Sequence, residues 1–96
     1  MAAPAIRSAR LRITGRVQGV GYRAWAMRAA ASLGLRGWVR NRQDGAVEAL
    51  VIGDDDKVGA MIELCREGPY AARVTDIAIT DAPDDGSVGF TARPTA

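Results

Sequence analysis

Between Ala9 and Leu33 the spacing of apolar side chains changes once, and three glycines stand at the change. Ala9, Leu11 and Ile13 alternate with Arg10, Arg12 and Thr14, the period of two that marks a strand with one buried face. Gly15, Gly19 and Gly21 then interrupt the pattern. From Tyr22 onward, Tyr22, Ala26, Ala29, Ala30 and Leu33 share one helical face, and Gly34 supplies a stop. A strand, a glycine loop and a helix in this order form the opening of a β-α-β crossover.

The rest of the chain completes that arrangement. Leu35 to Asn41 and Ala46 to Ile52 read as two strands joined by Arg42-Gln43-Asp44-Gly45, with Asp-Gly as the turn signal. Asp54, Asp55 and Asp56 open a second helix, where carboxylates cap free amides and suit the positive end of the helix dipole. Val58, Met61, Ile62 and Cys65 repeat at helical spacing until Gly68-Pro69. Arg73 to Thr80 is a strand whose Val74 and Ile77 differ in parity, which predicts a bulge or a late start. Val88 to Arg93 forms a short last strand. The order βαββαβ, with room for an extra edge strand, predicts an α+β ferredoxin-like sandwich: an antiparallel sheet with two helices on one face. One domain over residues 1–96 is expected, with residues 1–8 a loose end.

Absences narrow the chemistry. The 96-residue chain has no histidine, so a Ser-His-Asp or Cys-His arrangement is excluded and the commonest metal ligand is missing. Its single cysteine, Cys65, allows neither an internal disulfide nor a cysteine cluster for zinc. The start of the chain does not resemble a signal peptide, and no apolar run approaches the roughly 20 residues of a membrane span. The cytoplasm is the expected location and a monomer the simplest state.

Charge is divided unevenly. Residues 1–43 carry nine arginines and no acid, whereas residues 44–96 carry eleven acids, three arginines and Lys57. Interleaving of the two halves in the fold accounts for most of the arginines; an anion site built from the first half is the competing explanation.

The loop Gly15 to Gly21, with Arg23 just behind it, has the composition of an anion cradle. Its glycines let the backbone turn with positive φ and aim successive N–H groups at one point, and the helix start adds unpaired N–H groups and a favourable dipole. Arg23 contributes a planar fork that fits two phosphate oxygens, and a cation in a first helical turn needs an anion to justify it. On residue types alone, a plain glycine-rich connection with Arg23 in solvent stands equally open. The chain fits neither the Walker pattern, which requires a lysine here, nor the dinucleotide fingerprint, whose third glycine is replaced by Ala24. Asn41 ends a strand beside the hairpin turn; its amide can donate to one partner and accept from another, as holding a water requires, although asparagine is also a common turn residue.

Two further patterns carry no chemistry. Asp54-Asp55-Asp56-Lys57-Val58 matches the motif of aspartate-nucleophile phosphatases, yet those need a larger parallel sheet and a metal. Cys65 lacks the arginine six positions later that a cysteine phosphatase requires, since that residue is Ala71, and it falls on the apolar face of its helix.

Ile13-x-Gly15-x-Val17-Gln18-Gly19-Val20-x-Tyr22-Arg23 resembles the first signature of the acylphosphatases. Gly37-Trp38-Val39-Arg40-Asn41, followed by Gly45-x-Val47 and Gly53, resembles the second, and Gly68-Pro69 with Ala72-x-Val74 occupies a third similar segment. The likeness runs from about Arg10 to Phe90. Tyr22 departs from it where phenylalanine is usual, and the tail Arg93-Pro94-Thr95-Ala96 lacks the aromatic ending common in the family.

The resemblance implies metal-free hydrolysis of the carboxyl-phosphate bond of a small-molecule acyl phosphate, with no cofactor and no nucleic-acid or membrane partner. It implies that Arg23 and the backbone of Gly15, Arg16, Val17, Gln18, Gly19 and Val20 bind the phosphoryl group, and that Asn41 orients the attacking water. A non-enzymatic ferredoxin-like binding or regulatory module is the alternative. RNA stacking is disfavoured by a total of five aromatic residues with no aromatic-rich strand. A third reading is a domain parted from a larger protein such as a hydrogenase maturation factor, against which the start at Met1 argues mildly.

Overall fold

A computed structural model describes residues 5–96. The elements follow in the order β1 (Ile6–Arg16), α1 (Tyr22–Ser32), β2 (Arg36–Asn41), β3 (Val47–Asp54), α2 (Asp55–Glu67), β4 (Arg73–Asp81) and β5 (Phe90–Ala92). They build one five-stranded sheet in the order β4-β1-β3-β2-β5. The pairs β1–β3, β1–β4 and β2–β3 are antiparallel.

The inward residues of the central strands, Ala9, Leu11 and Ile13 of β1 with Val47, Ala49 and Val51 of β3, lie against Tyr22, Ala26 and Ala30 of α1 and Val58, Met61, Ile62 and Cys65 of α2. Both helices therefore cover the same face, as the sandwich requires. On the opposite face Trp38, Leu50 and Ile52 form a smaller cluster. Arg10, Arg40 and Arg93 lie over the Trp38 ring at 5.9, 4.8 and 4.7 Å from its centroid, so guanidinium planes rather than a third layer shield it from water.

Three expectations from the sequence are corrected. β5 runs parallel to β2, so the sheet is mixed; its three residues align Gly37 with Phe90 and Val39 with Ala92. The expected loose end is ordered from Ile6, because Ile6, Arg7 and Ser8 pair with Asp54, Gly53 and Ile52 and extend β1 beyond its alternating stretch. The remainder of that end, residues 1–4, lies outside the described residues. The Asp54 side chain makes no cap bond; Asp56 alone accepts an N–H, from Lys57 at 3.0 Å. Asp55 and Asp56 still occupy the first turn of α2, where the dipole favours them.

The parity change in β4 is a bulge. Thr14 stands opposite Asp76 and Gly15 opposite Val74, so Thr75 is skipped and both Val74 and Ile77 reach the helical side. Gly15 permits this, with φ at 121° and its Cα so close to β4 that a Cβ would lie 2.1 Å from the Arg73 carbonyl oxygen. Among the described residues no helix is long and apolar enough to cross a membrane.

Charge interleaving also holds for several of the arginines of the first half. Arg12 pairs with Asp44, Arg36 with Asp84, and both Arg40 and Arg42 with Glu48. Gly15→Ala is expected to destabilise the fold by about 2–4 kcal/mol, through strain and a broken β1–β4 approach. Gly59→Ala, in an open position of α2, is expected to stabilise it by about 0.5–1 kcal/mol. Urea unfolding followed by tryptophan fluorescence measures both.

Candidate functional site

The connection from β1 to α1, residues 17–21, turns through Gly19 and Gly21, whose φ angles are 73° and 79°. Gly21 directly precedes α1 and offers no side chain as a cap, and the first turn of the helix contains no acid. The first helical N–H to reach a backbone acceptor is that of Trp25, on the Gly21 carbonyl at 3.0 Å. Among the described residues, no backbone N–H from Gln18 to Ala24 donates to a protein acceptor. Such a row of free donors at the positive end of a helix has the chemistry to donate hydrogen bonds to an anion's oxygens. Arg23 stands inside it, exposed, and takes part in no ion pair among the described residues.

Two bonds fix this loop. The Gln18 side chain donates its Nε2 hydrogens to the carbonyls of Arg42 at 2.7 Å and Ala46 at 2.9 Å, fastening the loop to the hairpin between β2 and β3. That hairpin is closed by Arg42 N–H on the Ala46 carbonyl and by the Asp44 carboxylate accepting the Ala46 N–H. The second bond runs from the Tyr22 hydroxyl to the Cys65 carbonyl, 2.7 Å away and buried. This carbonyl has no helical partner because the residue four positions on is Pro69, which lacks an N–H. The Tyr22 ring also lies against Gly68, where a Cβ would come within 2.7 Å of it. The tyrosine that departs from the family pattern therefore satisfies a polar group that phenylalanine would leave unpaired.

Asn41 enters from the other side as the last residue of β2, opposite Val47. It is half-buried, and its carbonyl accepts the Ala96 N–H at 3.1 Å. Val17, Gln18, Gly19, Arg23 and Asn41 line one cleft of about 340 Å³ together with Gly21, Tyr22, Ala24, Met27 and Ala92. Gly15, Arg16 and Val20 are not among its lining residues. Gly15 and Arg16 are held in β1 against β4, and the Val20 side chain packs on the core. Tyr22, Ala24, Met27 and Ala92 were missed from the sequence. Met27 had a signal there, since it follows Arg23 by four residues and so shares its helical face.

Neither of the other two patterns joins the cleft. Among the described residues, no group of three acidic, cysteine or histidine side chains is arranged to hold a metal. Cys65 is buried, and burial pushes its thiol up to about 11.

The sequence model of the acylphosphatase family matches residues 9–92. An acylphosphatase of Rhizorhabdus wittichii is 51% identical over 86 residues, covering 90% of this chain and 87% of that protein. One from an Azoarcus species is 55% identical over 85 residues, covering 88% and 87%. The crystal structure of acylphosphatase from Bacillus subtilis superposes with a TM-score of 0.88 at 34% identity, over 93% of this chain and 99% of that one.

Loss of the Tyr22 hydroxyl in Tyr22→Phe is expected to cost about 1–2 kcal/mol, because the Cys65 carbonyl is left buried and unpaired. The raised thiol gives a pH dependence of defined sign. The unfolded chain releases the Cys65 proton near 9 and the native state near 11, so the contribution is complete below pH 9 and lost as pH rises through 11. Burial raises Tyr22 as well, in the same direction. Urea midpoints across this range are expected to fall with pH, and to fall less steeply in Cys65→Ala.

Proposed function

From the premise that the chain belongs to the acylphosphatase family, and so hydrolyses acyl phosphates, we propose that the cleft between α1 and β2 is its active site. The observation that carries this reading is the row of N–H groups from Gln18 to Ala24, unpaired among the described residues, with Arg23 among them. The phosphoryl oxygens take the hydrogen bonds that the loop and the first turn of α1 leave free. Arg23 adds two parallel N–H donors and a full charge that an acidless helix start does not itself neutralise. The backbone of Gln18 to Ala24 is the contact region; Gly15 and Arg16 act by setting where that loop leaves the sheet.

Asn41 is the water-orienting group. Asn41 lines the same cleft, and a side-chain amide can accept a hydrogen bond from water while donating one to a phosphoryl oxygen. Water oxygen bonds to phosphorus as the bond from phosphorus to the acyl oxygen breaks, and the electron pair departs with the carboxylate. The proton from water passes to a phosphate oxygen of the substrate. A carboxylate is a good leaving group, so positioning and charge stabilisation supply the catalysis, and neither a metal nor a strong base is needed. The chain acts as one domain and, in this reading, as a cytoplasmic monomer.

Arg23→Ala is expected to lose at least about 3 kcal/mol of transition-state stabilisation, on the order of a hundredfold or more in kcat/KM. Arg23→Lys is expected to recover little of it, because a point charge does not replace the fork. Asn41→Ala is expected to lower kcat more than it weakens inhibition by inorganic phosphate. Release of benzoate from benzoyl phosphate measures all three, and a chelator is expected to leave the rate of the unmodified chain unchanged. Near-normal turnover in either alanine variant removes that residue from the mechanism; a folded, inactive chain supports the binding-module reading instead.

A further inference from the structure

The ladders of the central sheet end short of the cleft. The last partners of β1 and β3 are Ile13 and Val47, and those of β2 and β3 are Asn41 and Val47. Beyond these pairs Gly15 and Arg16 follow β4, while the chain after Asn41 turns into its hairpin. The loop of residues 17–21 and the hairpin of residues 42–46 are therefore separate projections. Arg23 stands behind the first and Asn41 at the root of the second.

Among the described residues, one side chain joins the two projections by hydrogen bonds, that of Gln18. Both Nε2 hydrogens are used, on the carbonyls of Arg42 at 2.7 Å and Ala46 at 2.9 Å. Arg42 directly follows Asn41 in the chain. Each carbonyl also accepts a hairpin N–H, from Gly45 and Arg42 respectively, so the glutamine fills the second lone pair of each. Arg12 reaches the hairpin as well, on Asp44, but this exposed ion pair comes from β1 rather than from the loop, and pairs of that kind hold weakly.

The phosphoryl contacts depend less on this link. Gln18 to Ala24 are one continuous stretch, anchored before it by Gly15 against β4 and within it by Tyr22 on the Cys65 carbonyl. Asn41 belongs to the other projection, and the Gln18 amide bridges the two. We propose that Gln18 is a positioning residue for the hydrolysis: its side-chain amide holds the Asn41 end of β2 in register with the phosphate loop, and so places the attacking water against the phosphoryl group. This deepens the active-site reading above and rests on it. Attack on phosphorus tolerates little displacement, since about 1 Å of misplacement can cost on the order of a hundredfold in rate.

The test is a double-mutant cycle between Gln18 and Asn41, read on benzoyl phosphate with inhibition by inorganic phosphate measured alongside. Gln18→Met keeps the length of the side chain and removes both donors. It is expected to lower kcat on the order of ten- to a hundredfold while inhibition by inorganic phosphate changes little. In the Asn41→Ala background the same substitution is expected to cost almost nothing further, because the group it positions is gone. Gln18→Asn keeps the amide on a stem too short for both carbonyls; its loss is expected to lie between, and it carries the same cycle if the methionine variant does not fold. Losses that multiply in the double variant overturn the proposal, as does an unchanged kcat in the Gln18 variants or a fall in kcat matched by equally weakened phosphate inhibition. Failure of the active-site reading itself looks different: Asn41→Ala and Arg23→Ala would then both turn over at the rate of the unmodified chain.

Discussion

Every backbone N–H needs an acceptor, and along Gln18 to Ala24 none is found among the described residues, which leaves the row open to solvent or a ligand. The neighbouring structure keeps that row open. β1 delivers the chain to the loop through the Gly15 bulge, and Gly19 and Gly21 bend it with left-handed φ. Gln18 fastens it to the hairpin, and Tyr22 fastens the helix behind it to the end of α2. Each anchor uses a side-chain group to satisfy a carbonyl, so the amides themselves stay free. Those anchors fix the loop through the protein's own hydrogen bonds, which is what preorganised electrostatic stabilisation requires.

The same economy explains the charge pattern. Several arginines of the first half find acids of the second: Arg12 with Asp44, Arg36 with Asp84, Arg40 and Arg42 with Glu48. Arg10 and Arg93 lie over Trp38 on the sheet face that no helix covers. Arg23 differs in lining a cleft at a helix start, where its charge opposes the helix dipole. The sheet topology then brings Asn41 to the opposite wall, because β2 ends where the hairpin meets the loop.

Much of this was legible in the sequence. The change of apolar period at Tyr22, the Asp44-Gly45 turn and the Val58-Met61-Ile62-Cys65 stripe each correspond to the element expected, since local patterns specify local structure. The mismatch of Val74 and Ile77 correctly marked a bulge. Long-range pairing was less accessible. Ile6 to Ser8 have no alternation of their own and are ordered by β3, while the parallel direction of β5 depends on where β2 lies in the finished sheet. Gln18 was expected among the phosphate contacts through its backbone; its side-chain partners are 24 and 28 residues away and invisible to spacing arguments. The role of the Tyr22 hydroxyl was encoded, because Pro69 leaves Cys65 without a helical donor, but only the fold shows that Tyr22 reaches it.

Titration of the protein with inorganic phosphate, followed through backbone amide NMR shifts, tests the central claim most directly. Saturable shifts are expected to be largest at the N–H groups of Gln18 to Ala24 and to disappear in Arg23→Ala. Shifts centred instead on the arginine-covered face around Trp38, or an absence of saturable change in the loop, would contradict the assignment of this helix start as the phosphate site.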